Sequence, residues 1–297
     1  MLKYIKYYIP AITGILAIVF FLMGENYPTY FCISWSLFLI IGDYVLPRDK
    51  DIQQFSYPWI LNFSIYVNLP ILFGLIFLIV SIFSNDNPLW YVDGLNSQFN
   101  IDFTQIKESF TLIDKVALIL QTALFVGILG TVPGHELVHR KKSQIDMFIG
   151  NWLLAFSWDC TFAIEHVHGH HKNVCLDEDP ASAKRGENIY LFILRATLQE
   201  QISGWEIETE RLKRRKLNVF SIRNRMIIGY FRSLSITIAA FIFGGVTGTL
   251  SFLLCAFLAK LLLESINYIE QADKAFTIES LILVQKAFNE IIALSGL

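Results

Sequence analysis

The chain has 297 residues, of which 54% are hydrophobic and only 17% charged, whereas a soluble domain carries about a quarter charged residues. Its formal net charge of -2 excludes the strongly basic field of a nucleic-acid-binding protein. The mean hydropathy of +0.48 reflects apolar residues gathered in blocks, the pattern of membrane spans.

A helix rises about 1.5 Å per residue, so about 20 apolar residues cross a hydrocarbon core of about 30 Å. Residues 7–23 fit a first span, entered by Lys3 and Lys6. Residues 30–46 fit a second, with Asp43 near its end, and the short turn GENYP joins the two as a hairpin. Residues 59–83 form a long third span with Trp59 as an interface anchor. The polar, turn-rich loop SNDNPLWYVDGLNSQFN leads to a fourth span at 116–132. The first apolar run reads as a span and not as a cleaved signal. Four cysteines (Cys32, Cys160, Cys175, Cys255) form no CxxC pair, which argues against a disulfide framework or a thiolate metal site.

Residues 133–225 differ from the rest. They hold all six histidines and most of the basic residues: Arg140, Lys141, Lys142, Lys184, Arg185 and the run RLKRRK at 211–216. By the positive-inside rule this region, the amino terminus and the loop between the second and third spans face the cytoplasm. The stretch IDMFIGNWLLAF, broken up by Asp146 and Asp159, suits a helix packed beside the membrane part and not a crossing. Residues 233–259 are uncharged again. If GGVTG at 244–248 turns a hairpin, with Arg232 and Lys260 snorkelling at its open ends, the chain has six spans; a single crossing would make five. The fold class is therefore all-α and polytopic, with about six transmembrane helices in three hairpins and a cytoplasmic helical metal-binding region. In the tail, Ile278, Leu281, Ile282, Phe288 and Ile291 have the spacing of an amphipathic helix.

The histidines lie in two short stretches, GHELVHR at 134–140 and EHVHGHH at 165–171. His135 and His139 are four apart, on one face of a helix, and His166 and His170 repeat the spacing with His171 beside them. Neutral imidazoles suit zinc, iron, copper and nickel, and ionisable groups at a membrane face are expensive and functional. These five are candidate metal ligands. His168 is offset from their face and suits a supporting position. Glu136 and Glu165 adjoin ligands and suit acceptors for the far N–H of an imidazole, or ordinary surface pairs. HELVH also satisfies the HExxH pattern of zinc metalloproteases, in which Glu136 would activate water; that reading leaves the second cluster unexplained.

GHELVHR and EHVHGHH resemble the first two histidine boxes of the integral-membrane alkane 1-monooxygenases, relatives of xylene monooxygenase and the membrane fatty-acid desaturases. EDPASAKRGENIY resembles the segment after the second box, and NYIE at 267–270 the opening of a third signature. The resemblance implies a histidine-bound di-iron centre at the cytoplasmic face of an inner-membrane protein, if the source is bacterial. It implies terminal hydroxylation of a hydrocarbon chain with O2, and electrons from a rubredoxin-type donor and its reductase. By it His135, His139, His166, His170 and His171 are iron ligands, while Asp179, Asn267 and Glu270 join Glu136, Glu165 and His168 as supporting residues.

The family signature continues from NYIE into a histidine, where this chain has Gln271, and the residues after Glu270 hold no histidine. The expectation is a truncated oxygenase domain at 1–270 followed by a non-family tail at 271–297; an inactive metal-binding relative, or a second polypeptide supplying ligands, are the other readings. An alkane offers no hydrogen bond, so Trp35 and Phe38 are candidates to line an apolar substrate channel. RLKRRK is a candidate docking site for an acidic electron-transfer protein, or a contact with anionic lipid.

Overall fold

The computed structural model describes residues 2–46, 54–86, 89–173, 178–184 and 186–271. Among these residues the chain is helical and has no strand. The described residues form two compact units: one from residues up to 129 together with 237–258, the other from 130–236 together with 259–271.

The first unit contains α1 (Lys3–Leu22), α2 (Tyr27–Val45) and α3 (Pro58–Phe83), all apolar and of membrane-crossing length. Gly24 and Glu25 take positive φ of 74° and 47°, which reverses the chain inside GENYP and makes the expected hairpin. The loop after α3 is more ordered than its composition suggests. It holds two short helices, α4 (Val92–Phe99) and α5 (Phe103–Glu108), tied where the Phe103 N–H donates to Asn96 Oδ1 at 3.0 Å.

The next helix, α6 (Leu112–His139), starts earlier and ends later than the fourth span read from sequence. A capping box starts it: Asp114 Oδ2 accepts from the Thr111 N–H at 3.0 Å. The other Asp114 oxygen accepts from the Thr29 hydroxyl at 2.5 Å, and Gln121 Nε2 donates to the Pro28 carbonyl at 2.8 Å. These bonds hold α2 against α6. The core is Ala17, Phe21, Leu72, Leu75, Ile79, Leu118 and Leu129. At Gly14 an added Cβ would meet Leu129 Cδ1 at 2.7 Å and Ile71 Cγ2 at 2.9 Å, so a larger residue would force those side chains to shift. Ile33, Leu37, Phe38, Ile40 and Ile41 of α2 remain more than half exposed, a surface suited to lipid.

The last helix, α10 (Arg225–Gln271), is 47 residues long but breaks at Gly245 (φ 60°, ψ -157°). Unbroken, it would separate Ser233 from Lys260 by about 40 Å. Instead the Ser233 hydroxyl donates to the Ala155 carbonyl at 3.1 Å, and Lys260 Nζ lies 2.8 Å from Asp159 Oδ2. Both arms return to the same short turn, so GGVTG is a hairpin. Its reversal packs on α3, where a Cβ at Gly248 would meet the Val80 carbonyl at 2.6 Å. Among the described residues five helices are long and apolar enough to cross a membrane, and the break at Gly245 divides the last of them into two arms.

The second unit is built from the end of α6, α7 (Gln144–Ala155), α8 (162–173), α9 (Ile189–Arg214) and the ends of α10. With twelve residues, α7 is about 18 Å long, too short to cross, as the charges around it suggested. Glu208 of α9 is buried and binds Arg211 Nε at 2.7 Å and Arg225 Nε at 2.8 Å, so the first residue of RLKRRK is a structural clamp.

Lys260 does not snorkel. Its side chain is 12% exposed and pairs with Asp159, Glu200 and Glu264 at 2.8, 3.0 and 2.7 Å. Three buried carboxylates attract the ammonium more strongly than a route to water would. The amphipathic helix expected in the tail falls outside the described residues.

Candidate metal centre

Each histidine stretch is positioned by a departure from regular α-winding. Pro133 has no N–H, and in a regular helix its ring collides with the carbonyl four residues earlier. Helix α6 widens into a π-helix over Val126–Thr131, then resumes α-winding over Val132–His139. His135 and His139 therefore stand one α-turn apart, with ring centroids 4.8 Å from each other. Gly134 and Gly150 let α6 and α7 cross closely: a Cβ on Gly134 would meet Leu154 Cγ at 2.9 Å, and one on Gly150 would meet Leu137 Cβ at 2.8 Å.

In α8 the π-winding covers His166–His170 itself. A π-helix bonds i to i+5, which brings His171 toward the face of His166. The rings of His166 and His171 are 4.5 Å apart, and Nε2 of His166 lies 2.9 Å from Nε2 of His135. One ring nitrogen from each of His135, His139, His166 and His171 falls within 4.8 Å of the others. Four neutral nitrogens converging from two helices fit one transition-metal ion. Burial, followed by the neighbouring imidazoles, holds His166 far below the ordinary imidazole range and keeps it in the neutral form, the one able to bind a metal.

His170 lies beside this group of four. Its ring stacks on His166 at 5.1 Å, and Nδ1 bonds both Asp179 oxygens at 3.0 and 2.9 Å. Asp179 also accepts from the Ser182 hydroxyl at 2.6 Å and the Ala181 N–H at 3.1 Å. Burial alone would raise the Asp179 carboxyl, but the His170 and Ser182 bonds outweigh it and hold the carboxyl below its usual range. A carboxylate that fixes an imidazole in this way orients it for metal binding.

Glu165 is buried, accepts from Ser203 Oγ at 3.3 Å, and is pushed up to about 7 by burial and then by the Asp179 charge. His168 is partly exposed and outside the group of four. The side chain of Glu136 is 45% exposed and pairs with Arg140 at 2.9 Å, the ordinary surface pairing. Asn267 Nδ2 donates to Glu264 Oε2 at 3.3 Å, and the side chain of Glu270 is outside the described residues. Trp35 and Phe38 stack at 5.4 Å on α2 in the first unit, with Phe38 57% exposed.

Two contributors escaped the sequence reading. Phe162 stacks on His166 at 4.3 Å and meets His135 edge-on at 5.3 Å, walling one side of the centre. Gly169 leaves room for Glu165, whose Oε1 an added Cβ would displace; a glycine set among histidines was the available signal.

The helices define a polytopic membrane protein, and its four converging imidazoles form a cluster that could hold a metal ion. The model of the fatty acid desaturase family matches residues 115–283, more than half of the chain, and the chain belongs to that family. It is also similar to alkane 1-monooxygenase 1 of Pseudomonas aeruginosa, 36% identical over 53% of this chain and 41% of the relative. The alkane 1-monooxygenase of Acinetobacter baylyi is 36% identical over 62% of this chain and 43% of the relative. The hydroxylase component of the Pseudomonas putida xylene/toluene monooxygenase is 25% identical over 85% of this chain and 63% of the relative. The chain thus spans about two-fifths of the length of the alkane 1-monooxygenases it matches.

Proposed function

We propose that this protein is an O2-dependent hydroxylase of hydrocarbon chains, of the alkane 1-monooxygenase kind. The observation that carries the reading is the convergence of His135, His139, His166 and His171 in a chain whose relatives are named as monooxygenases of alkanes and aromatics. These four would hold one iron, and His170, oriented by Asp179, is the candidate imidazole for a second. The chemistry supplied by bound iron is activation of dioxygen with two electrons, which attack on an unactivated C–H bond requires. The chain's own residues do the rest. Burial keeps the His166 ring neutral, Phe162 excludes water from one side of the ligands, and Asp179 fixes the His170 ring. Electrons would come from a rubredoxin-type protein served by its reductase, with the histidine region on the cytoplasmic side.

The test is alcohol formation from medium-chain alkanes by iron-loaded protein in membranes, supplied with rubredoxin, reductase and O2. A terminal alcohol made by this chain and absent from a His166→Ala control is the expected result. Stoichiometric iron without any alcohol would replace the reading with that of a non-catalytic metal-binding relative.

A further inference from the structure

Within the second unit, three carboxylates surround a single ammonium. Asp159, Glu200 and Glu264 all lie within 3.0 Å of Lys260 Nζ, and all three residues are buried. Fully ionised, three carboxylates and one ammonium carry a net charge of -2. Uncompensated charge away from water costs several kcal/mol per ion, so the cluster keeps at least one proton at neutral pH. Only one of these carboxyls also reaches the metal centre: Glu200 lines a water-sized cavity of about 20 Å³ that Glu165, His166, His170 and Asn267 line as well. A cavity of that size with several polar partners has room for one water molecule. Burial above all, then the charges of Glu264 and Asp159, raise the Glu200 carboxyl well above its ordinary range against the opposing pull of Lys260.

We propose that Glu200 is the proton-relay residue of this centre, delivering protons through the cavity water from the Lys260 cluster. The inference rests on the hydroxylase reading. There R–H, O2, two electrons and two protons give R–OH and H2O. The electrons come from the one-electron donor protein, one oxygen atom enters the new C–O bond, and the other leaves as water with the two protons. Glu200 passes these protons one at a time and is reloaded between transfers. Lys260 and Glu264 face it from α10, Asp159 from the turn before α8, and Glu165, His166 and His170 across the cavity.

The test compares the full-length protein with Glu200→Gln in lipid nanodiscs. In wild-type protein at pH 7, infrared spectra in H2O and D2O should show a deuterium-sensitive band from a protonated carboxyl, with or without metal. Part of that band should vanish in Glu200→Gln, leaving the contribution of Glu165, whose carboxyl is itself pushed up to about 7. In the iron-loaded protein, alcohol formation should fall about 10²-fold, with a larger solvent isotope effect and more peroxide released per electron. A band that survives Glu200→Gln unchanged, or wild-type turnover with an unchanged isotope effect, would overturn the proposal. If Glu200→Gln does not fold, Glu200→Asp serves: a shifted band supports the assignment and an unshifted one overturns it. Because the band is read without turnover, a wild-type protein that makes no alcohol counts against the hydroxylase reading alone.

Discussion

Replacing Lys260 with Met tests how the polar heart of the second unit is held together. The ammonium is 12% exposed and bonded to three buried carboxylates. Methionine preserves most of the aliphatic stem, so the change removes charge and leaves little cavity. Deleting one partner of a buried ion pair costs about 3–5 kcal/mol because the remaining charge is stranded. The three pairs share one ammonium, so that cost is counted once and not three times. The expected loss is about two to nearly four powers of ten in the folding equilibrium. It should be greatest above the ordinary carboxylate range and shrink as the pH falls toward it, since protonated carboxyls need no counter-charge. The assay is unfolding in mixed micelles of increasing dodecyl sulfate, followed by helical circular dichroism at several pH values. A loss below about 1 kcal/mol at neutral pH is what a solvent-exposed pair would give, and would refute the buried-hub account.

Three further outcomes follow from the geometry. Gly150→Ala places a methyl 2.8 Å from Leu137 Cβ, so it should destabilise by about 1–3 kcal/mol and weaken metal retention by displacing His135; unchanged unfolding would show that the α6–α7 crossing yields easily. Asp179→Asn should weaken metal retention about 10- to 100-fold in a chelator competition, with helical content unchanged; undiminished retention would remove Asp179 from its orienting role. At Glu208, burial acts to raise the carboxyl but the Arg211 and Arg225 bonds prevail and hold it below the ordinary range. Its stabilisation is therefore present above the unfolded carboxylate pKa of about 4.3 and lost as pH falls through the lower folded value. Glu208→Gln should flatten that acid limb of the stability profile, and an unchanged limb would show that the clamp does not govern it.

The apolar blocks announced the spans, and GGVTG announced the hairpin that Gly245 makes, because length and glycine placement are local properties. The two histidine stretches were equally legible. Their partition was not: α-spacing groups His166 with His170, whereas the π-winding of α8 groups His166 with His171. Winding depends on packing around Glu165 and Gly169, which a residue count does not register. In α6 the signal was present, since Pro133 forbids a regular turn immediately before the first stretch. Lys260 was misread because its partners Asp159 and Glu200 lie 101 and 60 residues away, and only the tertiary fold brings them together. The rule that ionisable groups near the membrane interior seek partners pointed in the right direction without naming them.

The most direct test of the central claim is transition-metal content per chain in protein purified from iron-supplied cells, compared with a His166→Ala variant that retains its helical spectrum. At least one tightly bound iron per wild-type chain, lost in the variant, is the result this account requires. A wild-type chain without metal, or one whose metal survives the loss of His166, would contradict it.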